Sequence, residues 1–334
     1  MKSKYIVFKK PFEVDIEEEE LRDIGPHEVL VETRCTLVST GTELTAYSGQ
    51  FPEASRWAEY VKYPFRPGYC NVGEVVEVGS RVKEFKVGDR VASLGGHAEY
   101  VIVSEHELVK IPDEVGDEKA VFHTIAAGVM NSVRLAGVSL GDFVVVVGLG
   151  LLGQMAVMFS RLCGAFPVVA VDLADFRLKL AKKSGAMFTV NASRESVYER
   201  VYKLSSGRMA DIVFEVTGNP KVIPKAIKLA RRLGKLIVLS SPRGPSTLDF
   251  HDEVNAPSRI IIGTHFTSQP RVETPRFPWT RKRNTKLFFK LLKYKVIDIA
   301  HLITHRFKWY EAEKIYNELW KDRTHFLGVI LYFS

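Results

Sequence analysis

Residues 143–157 read FVVVVGLGLLGQMAV, and this stretch decides the predicted fold of the chain. Gly148, Gly150 and Gly153 have the G-x-G-x-x-G spacing, directly after an apolar strand-like run and at the start of a helix-like one. A second apolar run, VVAVD, ends at Asp172, which lies 19 positions after Gly153. An acidic residue at about this distance typically binds the ribose hydroxyls of a dinucleotide. The context therefore predicts a dinucleotide site and makes a glycine-rich turn without a ligand the less favoured alternative.

Each glycine of the turn has a physical role in the predicted site. Gly148 permits the tight turn, Gly150 lets the backbone approach a pyrophosphate, and Gly153 lets the helix pack on the strand. The helix that begins at Leu151 and Leu152 would present free N–H groups and a partial positive charge to the phosphates. We therefore expect these residues to bind the pyrophosphate.

The acidic residue sets the expected choice of cofactor. A carboxylate at Asp172 would accept hydrogen bonds from a free 2′-hydroxyl and would repel a 2′-phosphate. Arg177, a few residues further on, would offset that repulsion only in part. The sequence therefore predicts NAD in preference to NADP.

The rest of the chain shows two different patterns of predicted secondary structure. Up to about Glu118, short β-branched runs are separated by turn residues, which predicts a barrel-like lobe rich in strands. From Asp117 an Ala-rich helix is predicted, ending at Gly137. Apolar strands then alternate with helices, which indicates a parallel sheet buried on both faces. In this part ADIVFEVTG is predicted to lead into a helix that runs through ARRLG, residues 230–234.

Length and composition bound the class of protein. A chain of 334 residues favours two domains. The formal charge of +8 comes mostly from Lys and Arg scattered along helical stretches. The one dense cluster, Arg271–Arg283, contains proline and aromatics and is predicted to be a loop that either meets an acidic substrate or is solvated. We therefore expect either a solvated basic surface or attraction to an anionic substrate or cofactor, and no nucleic-acid partner.

Several further sequence features bear on where in the cell the protein is expected to be. No apolar run reaches the roughly 18 residues of a membrane span, and the N-terminus lacks the apolar core of a signal peptide. The three cysteines form no CxxC pair, and Cys35 and Cys163 are predicted to be buried core residues. We expect a cytoplasmic protein without a membrane partner. The presence of only three glutamines beside abundant Lys and Glu favours a heat-adapted source.

With these patterns in place, the chain resembles the medium-chain dehydrogenase/reductase superfamily, which includes the alcohol and sorbitol dehydrogenases. The resemblance runs through HEVLVETRCTLVSTGTEL, PGYCNVGEVVEVGSRVKEFKVGDRV, AEYVIV, GLGLLGQ, DIVFEVTG and LITHRFKWYEAEKIY. It implies an α/β fold with a GroES-like catalytic domain over residues 1–126, a Rossmann NAD-binding domain over 127–267 and a C-terminal return over 268–334. Thr217, in the DIVFEVTG motif, is then a further expected cofactor contact. The active site would lie in the cleft between the two domains.

The departures from the family pattern concern its catalytic zinc. Thr40 stands where zinc relatives have the first ligand, a cysteine, whereas Thr42 retains the hydroxyl of the family's proton relay. The family's Pro-Gly-His-Glu becomes RPGYC, so that Tyr69 replaces the ligand histidine and Cys70 replaces its glutamate neighbour. The third ligand maps onto His123. The four-cysteine lobe of a structural zinc is missing.

These departures leave the metal question open, with zinc expected to be absent. None of the three usual ligand types is in place, although Cys70, His123 and His97 are chemically competent to form a rebuilt zinc site. Tyr69 is better interpreted as part of the active-site wall, with a hydroxyl that is able to donate to substrate. The motifs are most similar to the branch that contains bacteriochlorophyllide dehydrogenases, which identifies a branch and not a substrate.

Two histidines are further candidates for catalysis. His97 lies where relatives supply a side chain of the substrate pocket, and it is a candidate general acid/base. The alternative is that His97 is a surface-loop histidine without a catalytic role. For His123, a helix histidine bonded to backbone is an equally favoured interpretation. Glu43 is either an active-site carboxylate or a structural partner of a nearby arginine. The predicted catalytic residues are therefore Thr42, Tyr69, His97 and His123.

Three functions compete at this level. The leading hypothesis is an NAD-dependent oxidoreductase that interconverts a secondary alcohol and a ketone on a polar, sugar-like or polyol-like substrate. The alternatives are a zinc-free reductase of the quinone or enoyl type, which would prefer NADPH, and a non-catalytic dinucleotide-binding protein. The family also implies a homo-oligomer, a dimer or tetramer, commonly formed through the strand around Arg259–His265.

Overall fold

The computed structural model of the chain describes residues 1–333 and divides into two compact units. The first unit comprises Met1–Ile125 together with the chain from Arg281 onward, and the second comprises Ala126–Thr280. Residues 268–280, which were assigned to the C-terminal return, thus lie in the second unit. Among the helices of residues 1–333, none combines the length and the apolar character needed to cross a membrane.

The order of strands and helices agrees with the two predicted patterns, a strand-rich first part and a second part in which strands and helices alternate. The strands are β1 (Lys2–Lys10), β2 (Glu13–Glu20), β3 (Glu28–Leu37), β4 (Asn71–Val78), β5 (Arg90–Ser93), β6 (Tyr100–Ser104), β7 (Val109–Lys110), β8 (Val144–Val147), β9 (Val168–Asp172), β10 (Phe188–Asn191), β11 (Ala210–Glu215), β12 (Ala230–Val238), β13 (Ile260–Gly263), β14 (Ile303–Lys308) and β15 (Gly328–Tyr332). The α-helices are α1 (Thr42–Ser48), α2 (Arg56–Tyr60), α3 (Asp117–Ala120), α4 (His123–Ala136), α5 (Leu151–Leu162), α6 (Asp175–Lys183), α7 (Val197–Leu204), α8 (Ile223–Ala226), α9 (Arg281–Lys293) and α10 (Ala312–Lys321). Short 3₁₀ turns occupy Glu105–Glu107, Ile227–Leu229, Phe266–Ser268, Ala300–Leu302 and Trp309–Glu311, and a π-helical turn occupies His251–Asn255.

The second unit is built on a six-stranded parallel sheet with the order β10-β9-β8-β11-β12-β13. In order of sequence within the unit this is 3-2-1-4-5-6, the topology of a dinucleotide-binding Rossmann sheet. The strand order reverses between β8 and β11, and ligands of such sheets bind at this switch point. The predicted Rossmann fold is thus confirmed.

The first unit is mainly antiparallel, in agreement with its predicted strand-rich character. One sheet has the order β14-β15-β3-β4-β5-β7, with β6 also paired to β3, and β1 and β2 form a separate ribbon. The last two strands of the chain therefore share a sheet with the strands of the first hundred residues. Two apolar clusters fill this unit, one under α1 and α10 and one between β3, β4 and β6.

Three local predictions are wrong. Residues 230–234 begin strand β12 and do not continue a helix, because Ala230 pairs with Ala210 of β11 and the Arg231 guanidinium donates to Asp211 at 2.6 Å. Arg281 starts helix α9 and does not belong to a loop; Arg and Lys are good helix formers, and Phe288 and Phe289 of the same helix are buried.

The third wrong prediction concerns Cys163, which is exposed. Cys163 lies at the C-terminal cap of α5, whose buried side chains end at Ser160. Cys35 is buried in β3 as predicted. The helix predicted from Asp117 to Gly137 is divided into α3 and α4, and only its end is as predicted: α4 ends at Ala136, and Gly137 has a φ of +68°.

Candidate functional site

The glycine-rich turn of the second unit has the backbone geometry that the sequence requires. Gly148 follows β8 with a φ of +95°, a conformation that L-residues rarely adopt. A Cβ atom at Gly153 would lie 1.9 Å from the carbonyl oxygen of Gly148, so only glycine lets α5 approach the end of the strand this closely. At Gly150 a Cβ atom would meet no atom within 4 Å. The backbone there is open to a ligand.

Helix α5 starts immediately after this open position. Gly150 is its N-terminal cap and supplies no side-chain hydrogen bond, and the first turn contains Leu151 and Leu152. In the first turn of an α-helix the backbone N–H groups lack intrahelical acceptors and carry a partial positive charge. This end of α5 is therefore suited to hold a phosphate.

Asp172 ends β9 beside the glycine-rich turn. One carboxylate oxygen accepts from the N–H of Leu149 at 2.7 Å, and the other accepts from the N–H groups of Leu173 and Ala174 at 2.8 and 2.9 Å. The guanidinium of Arg177 lies 4.0 Å from the first oxygen. Three backbone donors thus fix the carboxylate next to the turn, with a cation at its side.

Thr217 lies on the other side of the same turn, just after β11. A Cβ atom added at Gly148 would be 2.9 Å from the Thr217 methyl group. The hydroxyl and the N–H of Thr217 both donate to the buried carboxylate of Glu215. All of the predicted cofactor residues of the second unit are therefore grouped around the turn from β8 to α5.

In the first unit, Tyr69 stands on a backbone elbow. Gly68 has a φ of +98°, and a Cβ atom there would lie 2.8 Å from the backbone nitrogen of His97. The Tyr69 hydroxyl donates to the hydroxyl of Ser39 and lies 3.3 Å from Oγ1 of Thr42, the first residue of α1. Burial raises the pKa of Tyr69 above its ordinary value, so the phenol stays protonated at neutral pH. Tyr69, Ser39 and Thr42 form a chain of hydroxyl groups.

His97 belongs to a buried network behind this chain. Its Nε2 donates to the carboxylate of Glu43 at 3.0 Å, and its Nδ1 lies 2.7 Å from the hydroxyl of Thr36. Glu43 also accepts from the Tyr316 hydroxyl at 2.5 Å and from the Ser39 N–H at 2.8 Å. Both ring nitrogens of His97 are thus used within the protein. This geometry favours a positioning role for His97.

His123 begins α4 and is also buried. Its Nε2 donates to the carbonyl oxygen of Ser93 at 3.1 Å. The neighbouring Thr124 hydroxyl donates to the carbonyl oxygen of Tyr69 at 3.0 Å. Burial lowers the pKa of His123 to about 4, so the imidazole is neutral near pH 7. These contacts match the interpretation of His123 as a helix histidine bonded to the backbone. Through its neighbour Thr124, the start of α4 is bonded to the backbone at Tyr69.

The sequence reasoning missed two members of this site. Ser39 accepts from Tyr69 and donates its N–H to Glu43, and Tyr316 reaches the same carboxylate from α10. No spacing pattern pointed to either residue. Glu43 itself was considered, but its partners are a histidine and a tyrosine in place of the arginine that was suggested.

The residues of this region do not fit a three-ligand zinc site. Among the described residues, Cys70, His97 and His123 do not form a cluster with metal-ligand distances. Both nitrogens of His97 and the Nε2 of His123 are taken by protein partners. Burial raises the pKa of the Cys70 thiol, whereas metal binding needs the thiolate. These side chains are therefore used in a hydrogen-bond network of the protein and not as metal ligands.

Comparison with known families gives two matches. The family model "Alcohol dehydrogenase GroES-like domain" matches residues 25–113, and "Zinc-binding dehydrogenase" matches residues 152–279. Together the two matches cover more than half of the chain, one in each compact unit. The predicted fold class, a GroES-like domain plus a Rossmann sheet, is confirmed.

Individual relatives match most of the length of this chain. D-guloside 3-dehydrogenase of Escherichia coli is 29% identical over 323 residues, which span 90% of this chain and 91% of that protein. L-threonine 3-dehydrogenase of Pyrococcus horikoshii is 27% identical over 318 residues, or 86% of each chain. Among solved structures, an Escherichia coli oxidoreductase/dehydrogenase of unknown specificity superposes with a TM-score of 0.86 at 22% identity, covering 100% of both chains.

Proposed function

The chain belongs to the medium-chain dehydrogenase/reductase superfamily and is an alcohol dehydrogenase-like oxidoreductase, and we propose that it is an NAD-dependent enzyme that interconverts a secondary alcohol and a ketone. We propose a polar, sugar-like or polyol-like substrate and no catalytic zinc. The observation that carries the proposal is the hydroxyl chain of Ser39, Tyr69 and Thr42, in which Tyr69 stands where the family resemblance places a ligand histidine.

The protonated phenol of Tyr69 supplies what a bound metal would otherwise supply to the substrate oxygen. A hydroxyl donor polarises a carbonyl oxygen and gives it a proton during reduction, and it takes that proton back during oxidation. Thr42 lies 3.3 Å from Tyr69 Oη and is partly exposed, so during oxidation the Tyr69 proton would pass to Thr42 while the Thr42 hydroxyl proton passes to water, and the reverse path would reprotonate Tyr69 during reduction. Ser39 accepts from Tyr69 and orients its hydroxyl. His97, Glu43 and Tyr316 hold Ser39 in place from behind.

The cofactor proposal rests on the turn between β8 and α5. Gly148 and Gly153 allow the tight turn and the close approach of α5, Gly150 leaves room for a pyrophosphate, and the N–H groups of Leu151 and Leu152 would bind it. When bound, the nicotinamide supplies the hydride acceptor or donor of the reaction. Asp172 would accept from the ribose hydroxyls, with Arg177 beside it and Thr217 lining the turn.

The substrate class is supported by the names of the relatives. A guloside and threonine both carry a secondary alcohol at carbon 3, and the two relatives are named for dehydrogenation at that position. Their identity to this chain stays below 30%, which is compatible with a different substrate of the same chemistry.

The decisive experiment is a spectrophotometric screen for NADH formation with polyols, sugars, glycosides and 3-hydroxy amino acids, run in parallel with NAD and NADP. We expect turnover of at least one secondary alcohol with NAD, and unchanged turnover after dialysis against a chelator. Preference for NADPH with quinone or enoyl acceptors would identify the reductase alternative. Tight NAD binding without any turnover would favour a non-catalytic dinucleotide-binding protein.

We also propose a cytoplasmic, heat-adapted homo-oligomer, a dimer or tetramer. Strand β13 is the edge of the six-stranded sheet, and its Ile260 and Ile261 are exposed, which leaves an apolar edge able to pair with a second copy. Analytical ultracentrifugation of the wild type and of Ile261→Lys tests this. A monomeric wild type would contradict the proposal.

A further inference from the structure

A second group of metal-ligating side chains lies elsewhere in the first unit and shares no residue with the candidate site above. The ligand atoms of His27, Glu105 and His106 all lie within 4.8 Å of one another. We propose that these three side chains form a binding site for a divalent first-row transition cation, with zinc as the expected occupant. This inference does not depend on the proposed enzymatic activity.

The backbone brings the three residues together. Strands β3 and β6 are antiparallel, and their ladder begins with Glu28 opposite Ser104. One step beyond this pair, the N–H of Glu105 donates to the carbonyl oxygen of His27 at 3.0 Å. The chain then turns through Glu105–Glu107, with the Ser104 hydroxyl accepting from the N–H of His106. The site is thus held by the end of a sheet and a capped turn.

The side chains have the chemistry and the spacing for such an ion. The carboxylate of Glu105 is almost fully buried and lies 2.7 Å from Nδ1 of His27, whose side chain is half exposed. The rings of His27 and His106 face each other at a centroid distance of 6.1 Å and an angle of 27°. Zinc binds imidazole nitrogen and carboxylate oxygen at about 2.0–2.2 Å, which separates tetrahedral ligands by roughly 3.5 Å. Small side-chain rotations would bring these atoms to that separation.

The kind of ion follows from the donor set. Two imidazoles and one carboxylate suit zinc, copper and nickel, whereas magnesium and calcium prefer sites made only of oxygen. Three protein ligands leave a fourth position for water, which is accessible here because His27 and His106 are both exposed. A bound ion would fasten the chain before β3 to the connection between β6 and β7.

The test uses the full chain, freed of metal by a chelator and exchanged into chelator-free buffer. Titration with zinc chloride by calorimetry is expected to show one saturable equivalent with a dissociation constant below about 10 µM. Saturating zinc should raise the melting temperature by several degrees, because it binds the folded state in preference. The variants His106→Ala and His27→Ala should each weaken binding at least tenfold and abolish the thermal shift.

Matched controls separate this site from others. His251 forms an exposed pair with Asp252 at 2.7 Å but belongs to no three-ligand cluster of residues 1–333, so His251→Ala should bind zinc like the wild type. Cys70→Ser should do the same, since the ion is not held near Tyr69. Cobalt substitution gives a second readout, a visible absorption band that His106→Ala should remove. Zinc binding that persists unchanged in His27→Ala and His106→Ala, or no saturable binding by the wild type, would overturn the inference.

Discussion

The carboxylate of Glu43 accepts a hydrogen bond from Nε2 of His97 at 3.0 Å, and the exposed fractions of the two side chains are only 2% and 0%. The same carboxylate accepts from the Tyr316 hydroxyl and from the Ser39 N–H. A buried carboxylate is tolerable only when donors of this kind surround it. The network therefore joins α1, the loop before β6 and α10, and it fixes Ser39, the acceptor of the Tyr69 hydroxyl.

We first predict that Tyr316→Phe destabilises the protein more than Tyr47→Phe. Both tyrosines are buried and both hydroxyls connect α1 with α10, but Tyr316 donates to the Glu43 carboxylate and Tyr47 to the neutral amide of Asn317. Loss of a hydrogen bond to a buried charge costs about 1.5–3 kcal/mol, against about 1 kcal/mol for a neutral pair. Urea unfolding gives both free energies of unfolding. Equal losses would show that the hydrogen bond from Tyr316 to Glu43 contributes no more than the one from Tyr47 to Asn317.

Removal of the Tyr69 hydroxyl should lower the rate of reaction without unfolding the protein. For Tyr69→Phe we expect kcat to fall about 10²-fold to 10⁴-fold, the usual contribution of a positioned proton donor. Tyr100→Phe is the control, because the Tyr100 hydroxyl bonds to the carboxylate of Glu32 in a different part of the unit. Steady-state kinetics with the substrate found in the screen measures both. A Tyr69→Phe enzyme with wild-type kcat would remove Tyr69 from the mechanism.

His123 should make the protein less stable in mild acid. Its pKa is lowered to about 4 in the folded state by burial, compared with about 6.5 when unfolded. Between these pH values the unfolded chain binds a proton that the folded protein does not, so the free energy of unfolding decreases as the pH falls from about 6.5 to about 4. This stability is fully present above about pH 6.5, and the loss amounts to about 2 kcal/mol at pH 5.

The measurement compares urea unfolding of the wild type and His123→Gln at pH 7.5 and pH 5. Glutamine keeps an N–H donor for the Ser93 carbonyl oxygen but does not titrate. We expect the wild type to lose about 2 kcal/mol more than the variant over this interval. Parallel losses in the two proteins would mean that His123 is solvated or charged in the folded state.

Two glycines of the cofactor turn should respond differently to alanine. In Gly153→Ala the new methyl group would lie 1.9 Å from the carbonyl oxygen of Gly148, so the backbone must shift, and we expect a loss of about 2–3 kcal/mol in stability. In Gly150→Ala the methyl group meets no protein atom within 4 Å, and stability should change by less than about 1 kcal/mol.

Measurement of NADH binding separates an effect on cofactor affinity from the effect on stability. Gly150→Ala should raise the dissociation constant about tenfold, or about 1.4 kcal/mol, because the methyl group occupies the space proposed for the pyrophosphate. Thermal denaturation and fluorescence titration supply the two quantities. A Gly150→Ala protein that binds NADH like the wild type would place the pyrophosphate elsewhere.

Asp172 should govern the choice between NAD and NADP. In Asp172→Asn the negative charge beside the turn disappears while Arg177 stays, and we expect the ratio of NAD to NADP affinity to fall at least tenfold. Asp175→Asn is the matched control, since Asp175 is paired with Asn191 and Arg194 and not with the turn. An unchanged ratio in Asp172→Asn would show that another residue discriminates between the cofactors.

The geometry of the glycine-rich turn was predictable from the sequence because local backbone conformation encodes it. A positive φ at Gly148 and the close approach at Gly153 each require glycine, and Asp172 follows from the end of the next apolar strand. The errors occurred where tertiary pairing overrides local propensity. Residues 230–234 have a helical composition, yet pairing with β11 and the ion pair between Arg231 and Asp211 hold them in the sheet.

The sequence alone therefore indicated the Rossmann sheet and the position of the glycine-rich turn. The partners of the buried polar side chains in the first unit followed only from tertiary contacts. His97 and Glu43 are 54 positions apart, Tyr316 and Glu43 are 273 apart, and His27 meets Glu105 across 78 positions. Spacing rules describe neighbours on one helix or strand, whereas these contacts form because folding brings distant elements together and buries polar groups that must then find donors and acceptors.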